Sequence, residues 1–180
     1  MSNILYHTKF LDLKSTPSKS GNQWVYAHRP NAKDVVVILP TTKDEVLFLI
    51  EERPPIQAEN IGKYTIGTAA GLVGDERLGE SVEEALATEL LEETGLVAKN
   101  IEIKSKKVAS SAGCVSETCT IAIAHIENKT EIKKPVDDGG IIVDRVWVKK
   151  SNIHTWLAEK EAEGFVLTAQ VLASLFYLEK

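Results

Sequence analysis

The chain has 180 residues, 43% hydrophobic and 26% charged, with a formal net charge of −5. Its length suits a single domain with a real core, and its composition is that of an ordinary soluble globular protein. Interleaved acids and bases with an acidic excess argue against general nucleic-acid or membrane-surface binding, which favour a basic patch.

The first residues, "MSNILYHTKFLDLK", lack an apolar core of signal-peptide length, and no apolar run approaches the ~20 residues that span a bilayer. A cytoplasmic protein with reduced thiols is the expectation. The two cysteines, Cys114 and Cys119, stand at an odd offset, so on one strand they point to opposite faces and form neither a disulfide nor a metal site.

Residues 16–23, "TPSKSGNQ", form a turn-rich break between two short extended pieces. "QWVYAHR" alternates and reads as a strand. "DVVVILPTTKDEVLFLIEE" reads as two strands joined in a hairpin. "RPPIQAENIGKY" reads as a loop without regular structure, because of its prolines. "YTIGTAAGLV" is β-like and ends in small residues that let a ligand approach the backbone.

A helix follows. Ser81 and Glu84 fit a capping box, and Gly95 fits the left-handed position that ends a helix. Leu86, Ala87, Leu90 and Leu91 form its expected apolar face, with Ala85 on the opposite side. "NIEIKSKKVAS" and "ETCTIAIAHIE" read as strands, "KKPVDDGG" as a loop and "IIVDRVWVKK" as a strand. "NIHTWLAEKEAEG" and "LTAQVLASLFYLEK" read as helices. The pattern predicts a mixed sheet covered by helices.

The helix end poses a physical problem. Glu89, Glu92 and Glu93 stand at i, i+3 and i+4 and share an arc of roughly 100°. They lie in the last turn, where the helix dipole disfavours anions, and like charges at this spacing repel by about 0.2–0.5 kcal/mol per pair. A solvated acidic face is the bland explanation. A bound cation turns the cost into a gain.

The wider stretch "GDERLGESVEEALATELLEETGL", residues 74–96, resembles the Nudix box. Gly74, Glu80, Glu89, Leu90, Glu92, Glu93, Gly95 and Leu96 stand at its fixed positions, and the one departure is Thr88 in place of arginine. The resemblance implies a Nudix-type α/β/α sandwich, a mixed sheet between helices in the α/β (α+β) class, with antiparallel N-terminal strands. It implies one domain over 1–180, with strands in 1–32 that pair two copies and a core in 33–180.

The resemblance also implies Mg²⁺ or Mn²⁺ held by Glu89, Glu92 and Glu93, which serve catalysis too, with the Ala70 carbonyl as a further ligand. Oxygen donors suit such hard ions. "ERPP" (Glu52 to Pro55) and "TIGTAAGLV" are similar to segments of the ADP-ribose pyrophosphatase branch. By that similarity Arg53 contacts a phosphate, Trp24 stacks on the base and Glu117 contacts the ligand. The plainer alternatives are a surface ion pair for Arg53, a core or interface role for Trp24 and a close turn at Ala70.

The expected activity is hydrolysis of the pyrophosphate in a nucleoside diphosphate derivative, ADP-ribose or a nucleotide sugar foremost. The alternative is a Nudix-fold protein that senses a nucleotide sugar without cleaving it. The glutamate the branch places before its "PAG" is missing, with Gly67 near its place. The loop acid that serves some relatives as general base is missing too. Asp137, Asp138 and Glu89 are the candidates here. The expected partners are a small nucleotide substrate and a second copy of the chain, with neither nucleic acid nor membrane.

Overall fold

A computed structural model describes residues 2–74, 77, 79–132, 135 and 141–178. The first three strands, β1 (Asn3–His7), β2 (Asp12–Pro17) and β3 (Gln23–His28), form an antiparallel sheet of their own. The larger sheet is built from β4 (Val35–Thr41), β5 (Glu45–Glu51), β6 (Thr65–Gly67), β7 (Ala69–Leu72), β8 (Asn100–Ala109), β9 (Thr118–His125), β10 (Ile142–Lys149) and β11 (Val166–Leu167). It is mixed: β4 pairs parallel with β9, and β6 pairs parallel with β11, while its other pairs are antiparallel.

The unbroken apolar runs of β4 and β5 reflect burial on both faces. Alternate residues serve opposite layers. Val36, Ile38, Leu47 and Leu49 pack beneath the acidic helix α2 (Val82–Thr94). Leu39, Val46, Phe48 and Ile50 pack on the other side with Ile153 and Leu157 of α3 (Ile153–Ala162) and Val171 of α4 (Ala169–Leu175). The sheet therefore lies between helices, as expected.

The hairpin expectation needs correction. The turn is present, but β4 and β5 pair only at Thr41 and Val46. Pro40 has no N–H to carry a ladder onward, and from Ile38 back to Val35 it is β7 that lies beside β4. Strand β5 instead pairs with β6 and β10. The two halves of the sheet splay apart, and "YTIGTAAGLV" divides between them at Thr68, whose hydroxyl donates to the Ile38 carbonyl.

"RPPIQA" is also corrected, from loop to the short helix α1 (Pro54–Ala58). Its two prolines occupy the first helical positions, where their missing N–H groups have no intrahelical partner to lose. The tail is less helical than expected: Leu167 belongs to β11, and α4 starts two residues later, capped by the Thr168 hydroxyl.

Helix α2 has the capping box read from the sequence. The Ser81 hydroxyl accepts from the Glu84 N–H at 3.2 Å, and the Glu84 carboxylate accepts from the Ser81 N–H at 2.9 Å. Gly95, at φ 71°, ends the helix with its N–H on the Leu91 carbonyl at 2.8 Å. The buried face differs from expectation: Ala85, Leu86, Leu90 and Thr94 are buried, whereas Ala87 is exposed and Leu91 half-buried. Full burial of a leucine contributes roughly 1.5–3 kcal/mol, so Leu86 and Leu90 set the rotation of the helix. That rotation turns Ala85, and with it the acids, toward β7.

Candidate active site

The splay between β4–β7 and β5–β6 opens a cleft of 510 Å³. Ala70 and Gly71 line one wall and Glu51, Arg53, Thr65 and Gly67 the other. Residues of β11 and the start of α4 also line it.

Two of the box glutamates reach the Ala70–Gly71 wall. Glu93 Oε2 accepts from the Ala70 N–H at 2.9 Å. A Cβ built on Gly71 would lie 1.9 Å from the Glu89 carboxyl carbon, so the absence of a side chain there lets Glu89 lie against the strand. Burial pushes the Glu93 carboxyl up to about 8. The Ala70 hydrogen bond and the Arg53 charge oppose the shift, while the charges of Glu89 and Glu51 add to it. Glu92 lies half-exposed on the same turn.

The donors are all oxygen, and their mutual repulsion is of the kind a hard divalent ion relieves. The residues thus suit a hard divalent ion by chemistry. Glu93 is turned onto a backbone N–H, however, and among the described residues no three His, Cys, Asp or Glu side chains form a ready-made ligand set.

Gly74 and Glu80 hold the loop before the helix. The Gly74 N–H donates to Glu80 Oε2 at 3.2 Å, and Gly74 has φ 82°, which favours glycine. At the far end, Arg145 Nε on β10 donates to the Glu93 carbonyl at 2.6 Å. A cation thus meets the negative end of the α2 dipole, a contact between distant segments that sequence reasoning missed. Thr88 is half-buried and makes no side-chain hydrogen bond to a described residue.

Arg53 lines the cleft, with Nη2 donating to Glu51 Oε1 at 2.6 Å. It is therefore both cleft residue and ion-pair partner. Nothing in the sequence marks Glu51 out. Gly67 shows what it does: a Cβ there would lie 2.4 Å from Glu51 Oε2, so an acid from β5 fills the space beside the position where the resemblance expects one.

Glu117 also lines the cleft, accepting from Arg29 Nε at 2.7 Å and from the Ser110 hydroxyl at 3.2 Å. Arg29, just beyond β3, is a second cleft residue that sequence reasoning passed over. Trp24 is not part of the cleft wall in a single chain: it is half-exposed, and its indole N–H donates to the Gly113 carbonyl at 2.8 Å. Asp137 and Asp138 lie outside the described residues. Cys114 is exposed and Cys119 buried, and neither forms a disulfide.

Among the described residues no helix is long and apolar enough to cross a membrane. No curated protein matches the chain. The crystal structure of an ADP compounds hydrolase superposes with a TM-score of 0.72 at 20% identity, covering 99% of this chain and 90% of the other. That likeness is one of fold. The Nudix domain model matches residues 30–168, most of the chain and all of the box. The chain belongs to the Nudix family, as a Nudix hydrolase.

Proposed function

We propose that the chain hydrolyses the pyrophosphate of a nucleoside diphosphate derivative, ADP-ribose or a nucleotide sugar, with Mg²⁺ or Mn²⁺. The observation that carries this reading is that Glu89 and Glu93, although they do not themselves line the cleft, meet the backbone of Ala70 and Gly71, which form one wall of it opposite the Arg53 guanidinium. The likeness in fold to a hydrolase of ADP compounds supports an ADP-containing substrate.

Glu89, Glu92, Glu93 and the Ala70 carbonyl are the proposed metal ligands. A divalent ion held by these residues would polarise a phosphoryl oxygen and lower the pKa of water. Arg53 binds the diphosphate, and its planar fork suits phosphate oxygens. Glu117, held by Arg29, borders the same cleft and orients the remainder of the ligand. Glu89 is the acid proposed to take the proton from the attacking water. From ADP-ribose and water the products are AMP and ribose 5-phosphate.

A homodimer fits the first sheet, where Ile4, Leu5, Tyr6, Trp24 and Val25 are exposed. Trp24 then reaches the base through the partner's site, and a cytoplasmic setting suits both free thiols. The test is a panel of nucleoside diphosphate derivatives with Mg²⁺ or Mn²⁺, read by phosphate release after phosphatase coupling. Turnover of ADP-ribose or a nucleotide sugar is expected, with Glu89→Gln abolishing it while nucleotide binding persists. No hydrolysis across the panel refutes the proposal, and binding without turnover in the parent favours a sensor.

A further inference from the structure

Glu51 is a charged side chain inside the protein, and the chemistry above does not use it. It ends β5 with 2% of its surface exposed, where the chain leaves the sheet for Arg53 and α1. An ionised carboxylate at such a place is strongly disfavoured unless it is paired and hydrogen-bonded. Its partners therefore indicate its purpose.

Oε1 accepts from Arg53 Nη2 at 2.6 Å, and Oε2 accepts from the Thr65 hydroxyl at 3.3 Å. Room for Oε2 exists because Gly67, on the neighbouring strand, has no side chain: a Cβ would lie 2.4 Å away. Gly67 has no positive φ, so its backbone does not demand glycine. The carboxylate does.

The other end of the ion pair is different. The Arg53 side chain is 43% exposed, at the cleft wall. A free arginine there would sample many rotamers, and ordering them on binding would oppose affinity. It would also be drawn to Glu93, which already feels its charge. Anchored by one nitrogen to a buried acid, the guanidinium keeps donors for the cleft and stays off the acids of α2.

We infer that Glu51, seated beside Gly67, is a positioning residue that holds the Arg53 guanidinium on the cleft wall to receive the diphosphate of the substrate. This rests on the diphosphate reading of the cleft. It goes beyond that reading by assigning to two residues, Glu51 and Gly67, a role exerted through Arg53.

The test is ADP binding with Mg²⁺, followed by calorimetry, for the parent, Glu51→Gln, Arg53→Gln, the double variant and Gly67→Ala, with thermal unfolding recorded for each. Each single variant is expected to weaken ADP roughly tenfold, the scale of one charged hydrogen bond. The double variant should be no weaker than Arg53→Gln, because Glu51 acts through Arg53. Gly67→Ala keeps both charges and decides the matter even if Glu51→Gln does not fold. Parental affinity in folded Gly67→Ala, or losses that simply add in the double variant, would overturn the inference alone. A parent that binds neither ADP nor inorganic pyrophosphate overturns the inference together with the diphosphate reading.

Discussion

Glu93 Oε2 accepts a 2.9 Å hydrogen bond from the backbone N–H of Ala70, fastening the last turn of α2 to β7. One carboxylate thus joins the acidic helix to the strand of small residues that lines the cleft. Burial and the neighbouring Glu89 and Glu51 charges raise it to about 8, against 4.5 for an ordinary glutamate. Between those values the folded protein keeps a proton that the unfolded chain has lost. Stability is then fullest below 4.5 and declines as pH rises toward 8. In a chelator, the unfolding temperature should fall across this window, and Glu93→Gln should flatten the fall. An equal slope in parent and variant counts against it. The same proton must leave for a metal to bind, so Mg²⁺ affinity should rise with pH over that range.

Gly71→Ala tests the approach of Glu89 to the strand. The new Cβ would meet the Glu89 carboxyl group at 1.9 Å, and the backbone of Gly71 has no positive φ to strain. The far end of a flexible side chain must move. Turnover should fall about 10²-fold, as displacement of a catalytic group by an ångström commonly does. Mg²⁺ affinity should fall with it, while unfolding temperature changes by only a few degrees. Activity within twofold of the parent would refute the close approach.

Much of this was legible in the sequence, and the gaps have local causes. The ends of α2 could be read because Ser81, Glu84 and Gly95 act within one turn of themselves. The rotation of α2 could not, since Ala85 is buried in a core built from several separate strands. Glu51 was hidden for a similar reason: its partners are Thr65 and the empty space at Gly67, brought near by the pairing of β5 with β6. Arg29 meets Glu117 across 88 residues. The β-rich runs on either side of a polar turn revealed both strands around Thr42–Asp44 but could not foretell that they part after a single pair, because each has apolar residues for either neighbour.

Arg145 should matter to the helix it caps. Its Nε bonds the Glu93 carbonyl at 2.6 Å, where the end of α2 presents unpaired acceptors. Arg145→Ala should cost about 1–2 kcal/mol of stability, roughly 2–8 °C in unfolding temperature for a domain of this size. It should also weaken Mg²⁺ binding, because the residue that bears the Glu93 carboxylate loses its backbone anchor. Parental values of both quantities would show that the contact is idle.

Thr88 marks the departure from the family pattern. On α2 it stands four residues before Glu92 and four after Glu84, so an arginine there can pair with either acid. Such a pair contributes about 0.3–0.5 kcal/mol, close to a twofold change in an equilibrium constant. Thr88→Arg should tighten Mg²⁺ binding by about that factor through a better-ordered Glu92, with the fold unchanged. Weaker binding in the variant would mean that the added positive charge competes with the metal instead.

The first sheet yields the last prediction. Both faces of β1 are exposed, and Ile4, Leu5 and Tyr6 are each more than half open to solvent. Contiguous apolar strands of this kind are commonly covered by a partner chain, since an open edge otherwise invites uncontrolled pairing. A second copy using the same surface would form a closed two-fold dimer. Light scattering should give twice the chain mass for the parent. Leu5→Asp with Tyr6→Asp should give the monomer while leaving the larger sheet folded, because among the described residues β1 pairs only with β2. Turnover should drop with dissociation if Trp24 serves the partner's site, whereas an equally active monomer would confine the whole site to one chain.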